Sequence, residues 1–128
     1  MLEGQMKQQR ILALDFDGVI HSYIKGWRGI TVIPDEPVLG AKEAIELLRL
    51  EGYKVIVYST RCSTSDGRKA LHKWLKKWKI KVDGIATEKP PCICYVDDRA
   101  VLFEGDWKKT INDIITFKSY IERNKEKK

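Results

Sequence analysis

The stretch ILALDFDGV at positions 11–19 decides the fold. From Ile11 to Phe16 it is apolar on both faces of an extended chain, interrupted only by Asp15, and a strand of that kind is one buried between helices. At its end, alternation along the strand turns the carboxylates of Asp15 and Asp17 to one side and Phe16 to the other, with Gly18 after them.

Outward from this strand, short apolar runs alternate with amphipathic stretches. Ala41, Ala44, Ile45 and Leu48 recur at helical spacing, and Gly52 stands where that helix would end. Lys54 to Ser59 is a second strand. A helix is expected from about Ser65 to Lys79, with Leu71, Trp74, Leu75 and Trp78 on one face and lysines on the other. Val82 to Ala86 and Cys92 to Val96 read as further strands, Val101 to Phe103 as a fifth, and Thr110 as the cap of a last helix carrying Ile111, Ile114, Ile115 and Ile121. Strands alternating with helices predict an α/β domain with a mostly parallel sheet covered by helices. That domain is expected over residues 10–122, after an N-terminal extension at 1–9 and before a charged, frayed tail at 123–128.

The chain has 128 residues, 43% hydrophobic and 33% charged, which fits one globular domain of roughly 100 to 150 residues rather than a disordered or fibrous chain. Apolar runs such as Ile11 to Leu14 and Val55 to Tyr58 fall far short of the ~20 residues of a membrane span. No basic start is followed by a long apolar stretch, so no secretory signal is expected. Three cysteines, two of them Cys92 and Cys94, make no disulfide framework, and a reducing cytoplasm is the simplest compartment. Cys92 and Cys94 are expected to be buried packing residues, with Cys62 the exposed thiol.

Charge is unevenly placed. The net charge is +6, and Arg68 to Lys81 alone carries seven basic residues with no acid. Removing those seven leaves −1 for the rest of the chain. Such a concentrated field favours polyanionic partners, although a lysine-rich helix face is also what simple solvation produces.

In parallel sheets ligands bind outside the carboxyl ends of the strands. There the sequence sets Asp15 and Asp17 after the first strand, Ser59, Thr60 and Arg61 after the second, and Asp97, Asp98 and Arg99 after the fourth. Lys89 lies just before the fourth, held extended by Pro90. So many carboxylates at neighbouring strand ends repel one another unless a cation offsets them. Oxygen ligands of this kind suit Mg²⁺, whereas zinc would want His and Cys at ligand spacing, which His21 and His72 do not provide.

Asp15-Phe16-Asp17-Gly18-Val19, Ser59, Lys89 and Asp97-Asp98 resemble, in order, the four motifs of the haloacid dehalogenase-like (HAD) phosphohydrolases. The resemblance spans roughly residues 10 to 105 and implies a single three-layer, Rossmann-like domain. It implies Asp15 as a nucleophile forming an aspartyl phosphate and Asp17 as general acid and base. Ser59 would hydrogen-bond the phosphoryl group, with Thr60 able to take that role by a one-residue shift, and Lys89 would supply positive charge. Mg²⁺ would be held by Asp15, the backbone carbonyl of Asp17, and Asp97 supported by Asp98. Crowding by the other carboxylates is expected to help Asp17 hold its proton. Val19 stands where many members have Thr. The acid at Asp17 favours phosphoryl transfer over carbon–halogen cleavage.

In the family that the motifs resemble, caps that close over small substrates follow the first motif or lie between the second and third. Here Val19 to Pro34 gives sixteen residues, and twenty-nine separate Ser59 from Lys89. Both are too short for a large cap once the basic helix is placed. His21, Trp27 and Arg28 are expected to line the entrance, and Arg61 either binds a substrate phosphate or pairs with a nearby carboxylate. An open site points to a substrate large enough to cover it, a nucleotide or a phosphorylated nucleic-acid end, or to a second subunit in a homo-oligomer. The competing reading is a non-catalytic nucleic-acid-binding module that keeps the fold.

Overall fold

A computed structural model describes residues 10–126. The expected extension at 1–9 and the last two residues of the tail lie outside the described residues. The chain divides into two compact units, the first ending at Val96 and the second beginning at Asp97.

The first unit contains strand β1 (Ile11–Asp15), helix α1 (Ala41–Leu50), strand β2 (Lys54–Tyr58), a 3-10 turn (Thr60–Ser63), helix α2 (Ser65–Lys77) and strands β3 (Gly84–Ala86) and β4 (Cys94–Val96). The strands lie in the order β3-β2-β1-β4 and every neighbouring pair is parallel. The architecture is therefore α/β with a parallel sheet, as the alternation predicts, and compatible with a Rossmann-like arrangement. β1 sits between β2 and β4, which explains why Leu12, Ala13 and Leu14 are all buried.

Local chemistry fixes the helices. α1 ends at Gly52, whose φ of 95° lies in the left-handed region, so that Tyr53 N–H donates to the Leu48 carbonyl at 3.0 Å. α2 buries Leu71, Trp74 and Leu75 against Phe16, Ile20, Val55 and Val57, while its lysines stay exposed. Its N-terminus is capped by Thr64, whose Oγ1 accepts from Gly67 N–H at 3.0 Å. A Cβ at Gly67 would lie 1.8 Å from the Arg61 carbonyl oxygen, so only glycine lets the 3-10 turn press this closely on the helix.

The second unit carries helices α3 (Trp107–Ile115) and α4 (Tyr120–Glu126). Three sequence expectations change here. Val101 to Phe103 forms no strand; it lies between the Asp97 turn, where Asp97 Oδ1 accepts from Arg99 N–H, and a turn at Gly105 with φ 90°. Asp106 rather than Thr110 caps α3, accepting from Lys108 and Lys109 N–H. An ionised cap is the better acceptor, and Thr110 sits inside the helix with its hydroxyl donating to the Asp106 carbonyl at 2.9 Å. Ile121 belongs to a separate helix, so the expected fray from Arg123 is instead the end of α4 through Glu126. No helix among the described residues is long and apolar enough to cross a membrane.

Candidate active site

All four strands being parallel, their carboxyl ends fall on one side of the sheet. Asp15 pairs with Tyr58 and Tyr58 with Ala86, while Leu14 pairs with Val96. One residue beyond Leu14 and Val96 come Asp15 and Asp97, and the peptide bond from Val96 holds the Asp97 Cα ~3.8 Å past the strand end. Ser59 continues the row from β2, tied by its N–H to the Ala86 carbonyl at 2.9 Å.

The Asp15 carboxylate is oriented by the next peptide, Phe16 N–H donating to its Oδ1 at 2.9 Å. The chain then turns tightly: the N–H groups of Val19, Ile20 and His21 all converge on the Phe16 carbonyl, at 3.2, 2.9 and 3.0 Å. Gly18, with φ 91°, makes the turn. The turn brings His21 back beside Asp17, and His21 Nδ1 lies 2.8 Å from Asp17 Oδ1.

Arg61 meets Asp17 from the opposite direction. Its Nε is 3.1 Å from Oδ2 and 3.3 Å from Oδ1, and Nη2 is 3.2 Å from Oδ1. Nη1 donates to the carbonyls of Gly29, Ile30 and Val32 at 2.9 to 3.1 Å. Trp27, half-exposed, lies over the guanidinium with 4.6 Å to the ring centroid. Of the two readings open in the sequence, Arg61 takes the carboxylate-pairing one, and its fork also ties down the loop after the first motif. The neighbours that the structure sets against Asp17 are thus a guanidinium and an imidazole, not the crowd of carboxylates expected from the sequence.

The remaining candidates sort by burial. Ser59 is buried, and its Oγ accepts from Arg61 N–H at 3.1 Å while keeping its own O–H to donate. Thr60 is exposed in the first position of the 3-10 turn. The Lys89 ammonium lies near two aromatic rings, 5.6 Å from the Tyr58 centroid and 5.3 Å from that of Tyr95, whose faces attract a cation. Asp98 Oδ1 is shut off from solvent and has no hydrogen-bond partner. Leaving an anionic oxygen so is costly unless a cation or an ordered water takes it, which fits a ligand to a hard metal ion.

His21 does not line an entrance. It is fully buried, its ring packed on Phe16 and Trp74 with centroids at 5.5 and 5.7 Å. Arg28 is exposed, its Nε donating to the Lys25 carbonyl. The cysteine assignments change: Cys62 is buried, Cys94 exposed and Cys92 only partly covered, because the 3-10 turn rolls Cys62 into the core while β4 leaves Cys94 uncovered. Burial pushes the Cys62 thiol above its ordinary range, outweighing the opposing pull of Arg68.

No family model matches the chain, and no curated protein or solved structure shows detectable similarity to it. The functional reading rests on the site itself.

One participant had no sequence signal. Asp35 lies in a loop without periodicity, yet its N–H donates to His21 Nε2, its carboxylate accepts from Lys25 N–H and its carbonyl accepts from Trp74 Nε1.

Proposed function

We propose that the protein is a HAD-type, Mg²⁺-dependent phosphoric monoester hydrolase. The observation that carries this reading is the alignment of parallel strand ends. That alignment puts Asp15 and Ser59 on one side of the sheet, with Asp17 two residues past Asp15.

In the first step the Asp15 carboxylate attacks phosphorus, the ester bond breaks, and the departing oxygen takes a proton from Asp17. In the second, Asp17 takes a proton from water, which attacks the phosphorus of the aspartyl phosphate and releases inorganic phosphate and free Asp15. Ser59 donates its O–H to a phosphoryl oxygen, and Lys89 offsets the developing negative charge. By the resemblance, Asp15 and Asp97 supported by Asp98 are the carboxylates that would hold Mg²⁺. Bound there, the metal supplies Lewis-acid stabilisation of phosphoryl charge.

The exposed lysine face of α2, with no large cap among the described residues, favours a substrate that is itself polyanionic and extended, such as a nucleotide or a phosphorylated nucleic-acid end. The same lysines are what favours the alternative of a non-catalytic nucleic-acid-binding module.

Turnover of p-nitrophenyl phosphate with and without Mg²⁺, in the wild type and in Asp15→Asn, separates the two. The phosphatase reading expects metal-dependent turnover that the Asn variant loses while staying folded, because an amide forms no acyl phosphate. Undiminished hydrolysis by the variant, or a phosphoryl group trapped on another residue, overturns the mechanism. Nucleic-acid binding with no turnover of any ester would establish the alternative.

A further inference from the structure

We infer that His21 is a positioning residue for Asp17, locked in a single tautomer, and that it leaves Asp17 Oδ2 as the oxygen that exchanges the proton. The kinetic side of this inference rests on the phosphatase reading; the tautomer does not.

The tautomer follows from the ring's two partners. Asp35 N–H donates to Nε2 at 3.1 Å, and a nitrogen that accepts a hydrogen bond carries no proton. The ring hydrogen of the neutral imidazole therefore sits on Nδ1 and is donated to Asp17 Oδ1 at 2.8 Å. The ring cannot readily turn away, since it is fully buried against Phe16 and Trp74. Its anchor is held in turn: the Asp35 carbonyl accepts from Trp74 Nε1 at 3.0 Å, and the Asp35 carboxylate accepts from Lys25 N–H at 2.8 Å. Helix α2 thus reaches the Asp17 carboxylate through Trp74, Asp35 and His21.

The two oxygens of Asp17 are left unequal. Oδ1 takes His21 Nδ1–H, Arg61 Nη2 at 3.2 Å and a share of Arg61 Nε at 3.3 Å. Oδ2 takes Arg61 Nε alone, at 3.1 Å. A carboxylate oxygen has about two lone-pair sites, so Oδ1 is filled and Oδ2 keeps one for a proton. Without His21 only the Arg61 fork is left, and a half-turn about the Cβ–Cγ bond offers that fork either oxygen.

Two substitutions separate the halves of the imidazole. In His21→Asn the amide N–H₂ stands near the place of Nδ1 and can still donate to Asp17. In His21→Gln the longer amide stands near Nε2 and retains the Asp35 contact instead. With an alkyl phosphate, whose leaving group needs its proton, His21→Gln is expected to lower kcat on the order of 10- to 100-fold at unchanged KM. With p-nitrophenyl phosphate, whose leaving group does not, the loss should be clearly smaller, since only the attack of water then calls on Asp17. His21→Asn should recover most of the alkyl phosphate rate. Equal losses on both esters, or a Gln variant as active as the Asn one, would make His21 a structural residue only.

Nitrogen NMR of the wild-type imidazole tests the tautomer without turnover and without any variant. A protonated Nδ1 with an unprotonated Nε2 is expected, and a proton on Nε2 would overturn the inference even if both variants failed to fold. Failure of the wild type to hydrolyse either ester would remove the phosphatase reading, and the proton-exchange role with it, whatever tautomer the spectrum reports.

Discussion

Arg61 and Asp17, 44 residues apart in sequence, form an ion pair in which the guanidinium is wholly buried and the carboxylate keeps partial access to water. The same guanidinium holds three carbonyls of the loop between His21 and Asp35. Removing one partner of a buried pair is far more damaging than the pair's net worth, because the other partner is left uncompensated. Arg61→Met should therefore destabilise the fold by about 3 kcal/mol or more, with the carbonyls of Gly29, Ile30 and Val32 adding to the loss. Arg61→Lys should recover little, since one ammonium cannot serve Asp17 and those carbonyls together. Urea unfolding checks this, and wild-type stability in the Lys variant would show that the fork is not needed.

Metal affinity should depend more on Asp98 than on Asp97. Asp97 already uses Oδ1 as acceptor for Arg99 N–H, whereas Asp98 has an oxygen with no partner. Titration calorimetry with Mg²⁺ is expected to show weak binding to Asp97→Ala that saturates at higher metal, and none measurable to Asp98→Ala. The opposite order would return the direct ligand to Asp97.

Thiol accessibility offers a check on the 3-10 turn. Cys94 is exposed and Cys62 buried, and the Cys62 thiol titrates above its usual range. Only the thiolate reacts. Ellman's reagent should modify Cys94 promptly in the native protein and reach Cys62 only on unfolding. Rapid native labelling of Cys62, read by mass spectrometry, would mean that the turn opens.

Much of this architecture is legible in the amino-acid order, because burial imposes a period on it. The apolar run of β1 and the Leu71, Trp74, Leu75 stripe of α2 each state one period and one buried face. Asp15 and Asp17 are legible because a strand end fixes where side chains point. The loop from His21 to Asp35 states neither period nor face: it offers backbone carbonyls, which any sequence supplies equally, to a guanidinium distant in sequence. Hence the partner of Arg61 is ambiguous in the sequence, the burial of His21 is not foretold, and Asp35 carries no signal at all. The division of the last helix is hidden for a related reason, since the isoleucine spacing continues across the break between α3 and α4 at Thr116 to Ser119.

Acid stability should carry a contribution from Asp83. Partial burial opposes its ionisation, but the Val55 N–H at 2.8 Å and the Arg49 guanidinium at 3.2 Å outweigh that and hold its carboxyl below the ordinary aspartate range. A group whose folded pKa is depressed stabilises the fold above its unfolded pKa, and that contribution fades as pH falls through the folded value. Asp83→Asn should thus be less stable than wild type at pH 7, with the gap narrowing below about pH 4. A gap that stays constant down to pH 2 would assign the loss to packing rather than to charge.

The basic face of α2 makes the last prediction, and it concerns the substrate. Lys73, Lys76 and Lys77 are exposed on the helix whose opposite face packs into the core through Leu71, Trp74 and Leu75. Changing them should leave the fold intact, and their field should act on whatever extends beyond the scissile phosphate. An exposed cation acts over roughly a Debye length, ~10 Å at 0.1 M salt. A compact ester such as p-nitrophenyl phosphate offers little charge at that range, whereas an oligonucleotide bearing a terminal phosphate offers a row of it. Replacing all three lysines by glutamate should therefore raise KM for the oligonucleotide and flatten its salt dependence, because fewer counterions are released on binding. Turnover of p-nitrophenyl phosphate should be unchanged. An oligonucleotide KM that the substitutions leave untouched would mean that α2 presents a merely solvated face, and that substrate choice lies at the strand ends.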